Sequence, residues 1–249
     1  MDPVRTEEIS GRYPGEEERL VSMNLHNHST FSDGSFTPEF IIGKAIEYGL
    51  NYVAITDHYL TSKTRSMSEG AIEEYIDVMD ELKRRYRHRI RVLTGVEIDA
   101  SRRTDFGKIR YDLLNSMDLV LFEYVNDDLW KGMHMWELFE VFDHIEVPIG
   151  LAHTDISRNF KDIDYDALLQ VMEDHGLFVE LSPSQRNSKF GRPYYRFAID
   201  FFRILKDTNV MVSIGSDTHT RPEEIADIKD AIMFVGELDL WENLITQRL

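Results

Sequence analysis

Residues 24–34 read Asn24-Leu25-His26-Asn27-His28-Ser29-Thr30-Phe31-Ser32-Asp33-Gly34. The stretch follows the apolar residues Val21 and Met23, which predicts the end of a short strand running into a loop. Side chains two apart on a strand point to the same face, so His26 and His28 can approach one metal ion. Imidazole is a common ligand for zinc, iron and nickel, and Asp33 in the following turn offers an oxygen ligand. Taken alone, the motif also fits two histidines hydrogen-bonded in a core.

Composition restricts the site and the partners that the chain can have. The 249 residues suit one barrel-sized domain or two small ones, and 42% of them are hydrophobic. Because the chain has no cysteine, any metal must be held by His, Asp and Glu. The formal net charge of −17 opposes binding to nucleic acid and to anionic membranes. No apolar run approaches the roughly 18–20 residues of a membrane span, and we see no secretory signal, so a cytoplasmic protein is expected.

Seven strand-like apolar runs alternate with helical patterns along the chain. The runs cover residues 21–25, 52–56, 91–98, 119–125, 147–152, 177–181 and 210–214. Thr37 and Pro38 are typical of the N-cap and first position of a helix that ends near Gly49. A second helix is predicted after Ser66 and Glu69, which have capping-box spacing. Further helical patterns cover residues 136–145, 167–175, 197–206, 225–234 and 240–249.

Strands that alternate with helices predict a parallel sheet. About seven such units in one series favour a single distorted, TIM-like (βα)7 barrel over an open doubly wound sheet. The nucleotide-binding motifs that would favour the open sheet do not occur. We therefore expect one α/β barrel domain over residues 21–249. Residues 1–20 are polar and are interpreted as a peripheral arm, with simple disorder as the alternative.

The predicted C-terminal strand ends collect histidines and carboxylates. The active site of such a barrel gathers at these ends. Five of the nine histidines lie there, each close to a carboxylate, which argues against five independent core histidines. Since a carboxylate can bridge two cations, Glu97 and Asp217 are candidates for joining adjacent metals.

These motifs resemble those of the PHP family, named for polymerase-associated and histidinol phosphatase domains. The resemblance rests on His26-Asn27-His28 with Ser32-Asp33-Gly34, Ile55-Thr56-Asp57-His58, Gly95-Val96-Glu97, His153 and Gly215-Ser216-Asp217-Thr218-His219. It implies a seven-stranded barrel, two or three divalent metal ions (zinc, manganese or iron), and hydrolysis of phosphoric esters. The metal ligands that it implies are His26, His28, Asp33, His58, Glu97, His153, Asp217 and His219. Asp217 and His219 are also expected at the catalytic centre, and Asp57 is expected to orient a ligand.

One departure from the family pattern affects the metal count. Many members have a further His at the end of the fourth strand. Here that region reads Leu121-Phe122-Glu123-Tyr124-Val125-Asn126-Asp127. Either Glu123, Asn126 or Asp127 takes the place of that His, or the third metal is lost or loosely held.

Cationic residues that follow the strands are candidates for binding a phosphate. Arg186 and Arg192 follow the sixth strand on the predicted active face, where bidentate contacts would hold a phosphate group. The alternative is an ordinary solvated loop. Further candidates are Arg102, Arg103, and Lys63 and Arg65 in a loop placed to cover the mouth.

The function expected from these features is metal-dependent hydrolysis of a small phosphorylated molecule. Clustered divalent metals make hydroxide available near neutral pH by lowering the pKa of bound water. The runner-up is a catalytically silent metal-binding barrel with a binding or regulatory role, which the missing fourth-strand His supports. The net charge and the lack of a basic stripe disfavour a nuclease. A hydrolase of C–N bonds is disfavoured because Glu97 stands where a carboxylated lysine would bridge the metals. No nucleic-acid or membrane partner is expected, and the oligomeric state stays open.

Overall fold

The computed structural model describes residues 22–68 and 70–247. The strands in these residues are β1 (Met23–Asn24), β2 (Tyr52–Tyr59), β3 (Arg91–Asp99), β4 (Leu119–Glu123), β5 (Ile149–Leu151), β6 (Leu177–Leu181), β7 (Ser188–Lys189), β8 (Arg192–Pro193) and β9 (Met211–Ile214). Strands β7 and β8 form an antiparallel hairpin after β6. The other seven form one sheet in the order β1-β2-β3-β4-β5-β6-β9, and every pair is parallel.

Backbone hydrogen bonds join the two outermost strands of this sheet, β1 and β9. The Leu25 N–H donates to the Ile214 carbonyl at 2.8 Å, and the His28 N–H donates to the Thr218 carbonyl at 2.8 Å. Asn27 and Thr218 form a parallel bridge just beyond the strand ends. The sheet therefore curls into a nearly closed barrel, which confirms the predicted (βα)7 architecture.

Helices follow the strands along the described chain. They are α1 (Pro38–Glu47), α2 (Ala71–Tyr86), α3 (Tyr111–Leu114), α4 (Phe139–Phe142), α5 (Ile156–Asn159), α6 (Tyr165–Asp174), α7 (Ile199–Leu205) and α8 (Lys229–Leu238). The Thr37 hydroxyl caps α1 by accepting from the Phe40 N–H at 3.3 Å, as predicted. None of the described helices has the length and apolar character needed to cross a bilayer.

The core lies between the sheet and the helices. Strands β4 and β6 are buried at every position, as expected for a parallel sheet that is covered on both faces. Helix α2 turns Ile72, Tyr75, Met79 and Leu82 toward the sheet, at the three- and four-residue spacing of one helix face. This packing leaves the loops at the C-terminal ends of the strands to carry polar side chains.

Two predicted helices differ from the structure. One helix was predicted over residues 136–145. The structure has instead a 3₁₀ segment, Met135–Leu138, followed by the single turn of α4. The predicted helix over 225–234 starts later, as α8, because Pro222–Ala226 form a 3₁₀ segment. The capping box at Ser66 is also wrong. Helix α2 begins after Gly70, and the Ser66 hydroxyl instead donates to the His58 carbonyl at 3.1 Å; its partner Glu69 lies outside the described residues.

The predicted C-terminal amphipathic helix is wrong in its described part. Residues 241–247 form two 3₁₀ turns, Trp241–Asn243 and Ile245–Gln247. The Asn243 amide donates to the carbonyls of Leu205 and Val210 at 3.3 and 3.2 Å, and Leu244 pairs with Val212 of β9. The bridge from Leu244 to Val212 uses backbone groups that a regular helix would need for its own hydrogen bonds. The structure does not describe the predicted arm at residues 1–20, nor residue 21 and residues 248–249.

Candidate metal centre

The eight side chains predicted to bind metal meet at the C-terminal mouth of the barrel. Four groups in the described residues have ligand atoms within 4.8 Å of one another. The groups are His28 with Asp33, His58 and His219; His26 with His28 and Asp217; His26 with Glu97 and His153; and His58 with Glu97 and Glu123. Residues from distant parts of the sequence therefore form one continuous cluster.

Glu97 occupies the centre of this cluster. Its Oε1 lies 3.0 Å from His153 Nε2, and its Oε2 lies 3.0 Å from His58 Nδ1. The two oxygens thus face histidines from different sides. Such a carboxylate is placed to bridge two cations, the role considered for Glu97 from its sequence position.

The turn after β9 brings Asp217 against the histidine pair of β1. Asp217 Oδ1 lies 3.3 Å from His28 Nε2 and 3.7 Å from His26 Nε2. His219 Nε2 lies 3.3 Å from Asp33 Oδ1. Asp217 has a φ of +55° and His153 a φ of +32°, values that non-glycine residues rarely adopt. Backbone strain of this kind is concentrated at functional sites.

Several buried polar atoms of the cluster have no hydrogen-bond partner in the described part of the chain. They are His28 Nδ1, Asp33 Oδ1 and His58 Nδ1; the last is close to Glu97 but not aligned for a hydrogen bond. The Nε2 atoms of His26 and His28 also face each other at 3.0 Å. An unsatisfied buried polar atom costs about 1–3 kcal/mol. A divalent cation would satisfy these lone pairs, and imidazole with carboxylate ligands suits zinc, manganese or iron.

Burial and the neighbouring charges shift the pKa values of these groups. Burial and the neighbouring His58 and His219 lower the pKa of His28 to about 3. Burial also lowers the pKa of His153, but its contact with Glu97 outweighs this and raises the pKa to about 9. Burial raises the pKa of Asp217, but its bond to His28 and the nearby imidazoles hold that pKa well below the ordinary range. The Asp217 carboxylate is therefore ionised and available to a cation at neutral pH.

Two buried carboxylates, Glu180 and Asp57, contact predicted ligands or the loop that carries one. Glu180 Oε1 lies 2.9 Å from the imidazole Nδ1 of His26, and Glu180 Oε2 accepts from the backbone N–H of His153 at 2.8 Å. Contacts of this kind fix the orientation of a ligating imidazole. Asp57, which was predicted to orient a ligand, accepts from the N–H and hydroxyl groups of Ser29 and Ser32. It thereby fixes the loop that carries Asp33.

The sequence patterns assigned no role to Glu180, although it lies within the predicted strand over residues 177–181. Its partner His26 is 154 residues away. The pairing depends on the barrel closing between β6, β9 and β1, and no local motif reports that closure.

A cavity of about 360 Å³ opens beside the cluster. Its lining includes three cationic side chains and three aromatic ones: Lys63, Arg158, Arg186, Tyr124, Trp130 and Tyr194. Trp130 is 54% exposed and stacks on Tyr124 with ring centroids 5.1 Å apart. The cavity therefore combines positive charge with aromatic surface next to the candidate metal ligands.

The two arginines proposed to bind phosphate lie in different places. Arg186 lines the cavity, and its guanidinium donates to the Asp217 carbonyl at 2.6 Å. The structure places Arg192 outside the cavity lining, contrary to the sequence prediction, because β8 directs its guanidinium over the ring of Phe197. Asn187, which the sequence did not single out, donates to Asp217 Oδ2 at 3.2 Å.

Of the three substitutes considered for the fourth-strand His, Glu123 is the one that joins a metal-binding group. Its Oε1 lies 3.9 Å from His58 Nδ1. The Asn126 side chain accepts from the Met135 N–H at 2.7 Å, and Asp127 accepts from the Leu129 N–H at 3.0 Å. Asn126 therefore caps the local backbone, and Asp127, whose other oxygen accepts from the Arg158 guanidinium, is engaged away from the metal-binding groups.

A parallel barrel that gathers histidines and carboxylates at its C-terminal mouth has the architecture of a metal-dependent hydrolase. The family model of the PHP domain matches residues 24–184. The chain therefore belongs to the PHP family of metal-dependent phosphoesterases, which confirms the resemblance seen in its motifs.

The chain is also similar to individual proteins. It is 26% identical over 175 residues to the DNA polymerase/3'-5' exonuclease PolX of Bacillus subtilis, covering 65% of this chain and 29% of PolX. It is 45% identical over 42 residues to the 5'-3' exoribonuclease Rnm of Escherichia coli, covering 17% of this chain and 14% of Rnm. The chain thus spans less than a third of the length of these curated relatives. The histidinol phosphate phosphatase of Lactococcus lactis has the same fold, with a TM-score of 0.62, 16% identity, and coverage of 86% of this chain and 94% of that one.

Proposed function

We propose that this protein hydrolyses the phosphoric ester of a small phosphorylated molecule in a metal-dependent reaction. The observation that carries the proposal is the continuous cluster in which both oxygens of Glu97 face histidines, beside a cavity whose lining includes three cationic side chains. The Lactococcus lactis phosphatase, which shares the fold, was solved with zinc, L-histidinol and phosphate bound. That complex supports a small substrate for this chain as well.

The predicted ligands would hold two or three divalent ions. Such ions supply an activated water and polarise the phosphoryl oxygens. Glu180 holds the His26 ring in one orientation, and Asp57 fixes the loop that presents Asp33. Arg186 would bind the phosphate by charge-assisted hydrogen bonds, and its contact with the Asp217 carbonyl places it next to the ligands.

The cavity supports a substrate of modest size. Its volume of about 360 Å³ is near the lower end of the range for small-molecule sites. Three cations, Lys63, Arg158 and Arg186, line it together with five carboxylates: Asp33, Glu97, Glu123, Asp127 and Asp217. Bound divalent ions would neutralise the predicted ligands among these carboxylates and leave the three cations to face a compact anion, whereas the acidic chain as a whole opposes a long polyanion.

A second candidate substrate is the end of a single-stranded nucleic acid. The half-exposed Trp130, stacked on Tyr124 at the cavity, offers a surface on which a base could stack. The similarity of the chain to parts of an exonuclease, PolX, and an exoribonuclease, Rnm, supports the same candidate. The net charge of −17 opposes extended contact with a phosphate backbone, so we rank this candidate second.

Release of phosphate from a panel of small phosphomonoesters tests the proposal. The panel includes histidinol phosphate, sugar phosphates and mononucleotides, with manganese, zinc or iron supplied in turn. End-labelled single-stranded oligonucleotides are assayed in parallel. We expect turnover of at least one small phosphomonoester and none of the oligonucleotides. Turnover of oligonucleotides alone would show that the substrate is a nucleic-acid end and not a small phosphomonoester. Bound metal without any turnover would favour the catalytically silent barrel.

Substitution of Arg186 is expected to weaken substrate binding. Hydrogen bonds to charged groups contribute about 1.5–3 kcal/mol, so Arg186→Ala should raise KM roughly 10- to 100-fold, with a smaller change in kcat. Arg192→Ala is the matched control, because that guanidinium packs over Phe197 outside the cavity lining. Steady-state kinetics on the best phosphomonoester measure both variants. Equal KM values for the two variants would exclude Arg186 from substrate binding.

A further inference from the structure

We infer that Lys63 supplies, from the protein itself, the positive charge that a third metal ion would bring beside the fourth strand. The inference rests on the proposed function, because it concerns how the same centre is filled. It predicts that the centre holds two metal ions, with the Lys63 ammonium group as a tethered third cation.

The contacts of Lys63 support this role. Its Nζ donates to both oxygens of Glu123, at 3.0 and 2.8 Å, and also contacts the Tyr124 hydroxyl. The same Nζ lies 4.2 Å from the centroid of the Tyr124 ring. Glu123 and Tyr124 stand where the fourth strand ends, in the region that carries a further His in many family members. The ammonium group thus lies against the carboxylate and the aromatic ring at the end of this strand.

Glu123 links Lys63 to the metal-binding cluster. The Glu123 side chain is buried, and together with His58 and Glu97 it forms one of the four groups able to hold an ion. A divalent ion in that group would need the Glu123 oxygens that Lys63 already engages. Lys63 and a third metal are therefore competitors for one carboxylate.

The tethering of Lys63 and the small number of ligands in this group favour the ammonium group in this competition. Glu123 and Glu97 are both buried and both approach His58, so their charges repel unless a cation lies nearby. Among the described residues, His58, Glu97 and Glu123 give a divalent ion only three side-chain ligands, so such an ion would bind weakly here and enter once Lys63 is removed. A lysine on the same chain supplies one positive charge and needs only the carboxylate and hydroxyl acceptors that are present.

The loop between β2 and α2 holds Lys63 in place from both sides. The Thr61 hydroxyl donates to Asp99 Oδ2 at 3.2 Å, and the Thr64 hydroxyl donates to Asp33 Oδ2 at 2.8 Å. The Lys63 N–H donates to the Thr61 hydroxyl at 3.2 Å. Because its neighbours are tied to the strand end and to a predicted metal ligand, Lys63 is a positioned cation rather than a freely moving surface residue. The side chain keeps 31% exposure and lines the cavity, so it also remains within reach of a bound phosphate.

Counting the bound ions tests this inference without an activity assay. The full chain is stripped with a chelator and dialysed to equilibrium against Mn²⁺, and the manganese per chain is measured by elemental mass spectrometry. We expect two ions in the unmodified protein, three in Lys63→Ala, and two again in the double variant Lys63→Ala/Glu123→Ala. Lys63→Arg retains the charge and should bind two. Circular dichroism checks that each variant is folded, and Lys63→Gln replaces Lys63→Ala if the latter does not fold.

The possible outcomes separate this inference from the proposed function. Three ions in the unmodified protein, or two in both the unmodified protein and Lys63→Ala, would overturn the role of Lys63 and leave the metal centre standing. Absence of bound Mn²⁺ in the unmodified protein would overturn the proposed function itself. A third ion that appears in Lys63→Ala and disappears in the double variant supports the inference.

Discussion

Replacement of Asp217 by Asn is expected to reduce phosphate release on the order of 10³-fold or more and to lower the bound metal content. Asp217 Oδ1 lies within 3.3 Å of His28 Nε2 and 3.7 Å of His26 Nε2, so it faces the same volume as the histidine pair. Asn preserves the shape of the side chain but removes its negative charge. Loss of outer partners of a metal ligand alone costs roughly 10- to 100-fold, and loss of a ligand charge should exceed that.

The matched control for Asp217→Asn is Asp162→Asn. It makes the same chemical change on a side chain that is 87% exposed and belongs neither to the metal-binding groups nor to the cavity lining. Metal content by elemental mass spectrometry and phosphate release at saturating Mn²⁺ are measured for both variants. Unchanged metal content and turnover in Asp217→Asn would remove Asp217 from the proposed metal centre.

The strands were predictable because parallel strands covered on both faces have nearly continuous apolar sequences. The prediction for residues 177–181 matches β6 residue for residue, and the alternation of the runs with helices led directly to the barrel. The histidines and carboxylates follow these runs, so their meeting at one mouth also followed from the sequence. Helix ends were less predictable, since the segments before α4 and α8 form 3₁₀ turns that depend on tertiary contacts.

Contacts across the barrel were beyond local sequence reasoning. The pairs Glu180 with His26 and Lys63 with Glu123 join residues 154 and 60 positions apart. Neither pair forms a motif, and both depend on the register of several strands. The prediction that Arg192 faces the active site differs from the structure for a related reason. Arg192 does follow β6, but the β7–β8 hairpin turns its guanidinium over the ring of Phe197.

Gly215 lies at the end of β9, where the backbone approaches two side chains of the candidate site. A Cβ at this position would lie 2.2 Å from Glu180 Oε1 and 2.4 Å from the Cβ of His26. Both distances are far below van der Waals contact, so Gly215→Ala must displace Glu180, His26 or the strand. Overpacking of a buried site typically costs about 1–3 kcal/mol. We therefore expect the free energy of unfolding to fall by about 2 kcal/mol.

The same substitution should also weaken metal binding, which separates it from a general loss of stability. Displacement of Glu180 would break its contacts with His26 and with the His153 N–H, and such losses cost roughly 10- to 100-fold in metal affinity. Gly43→Ala is the control. This residue is in α1 with no neighbouring atom within 4 Å of an added Cβ, so the change should stabilise the protein by about 0.5–1 kcal/mol. Urea unfolding and Mn²⁺ titration measure both variants. Equal Mn²⁺ affinity in the two variants would show that the barrel relaxes around residue 215 without moving the imidazole of His26. The close approach of the Gly215 backbone to His26 would then not be what positions this ligand.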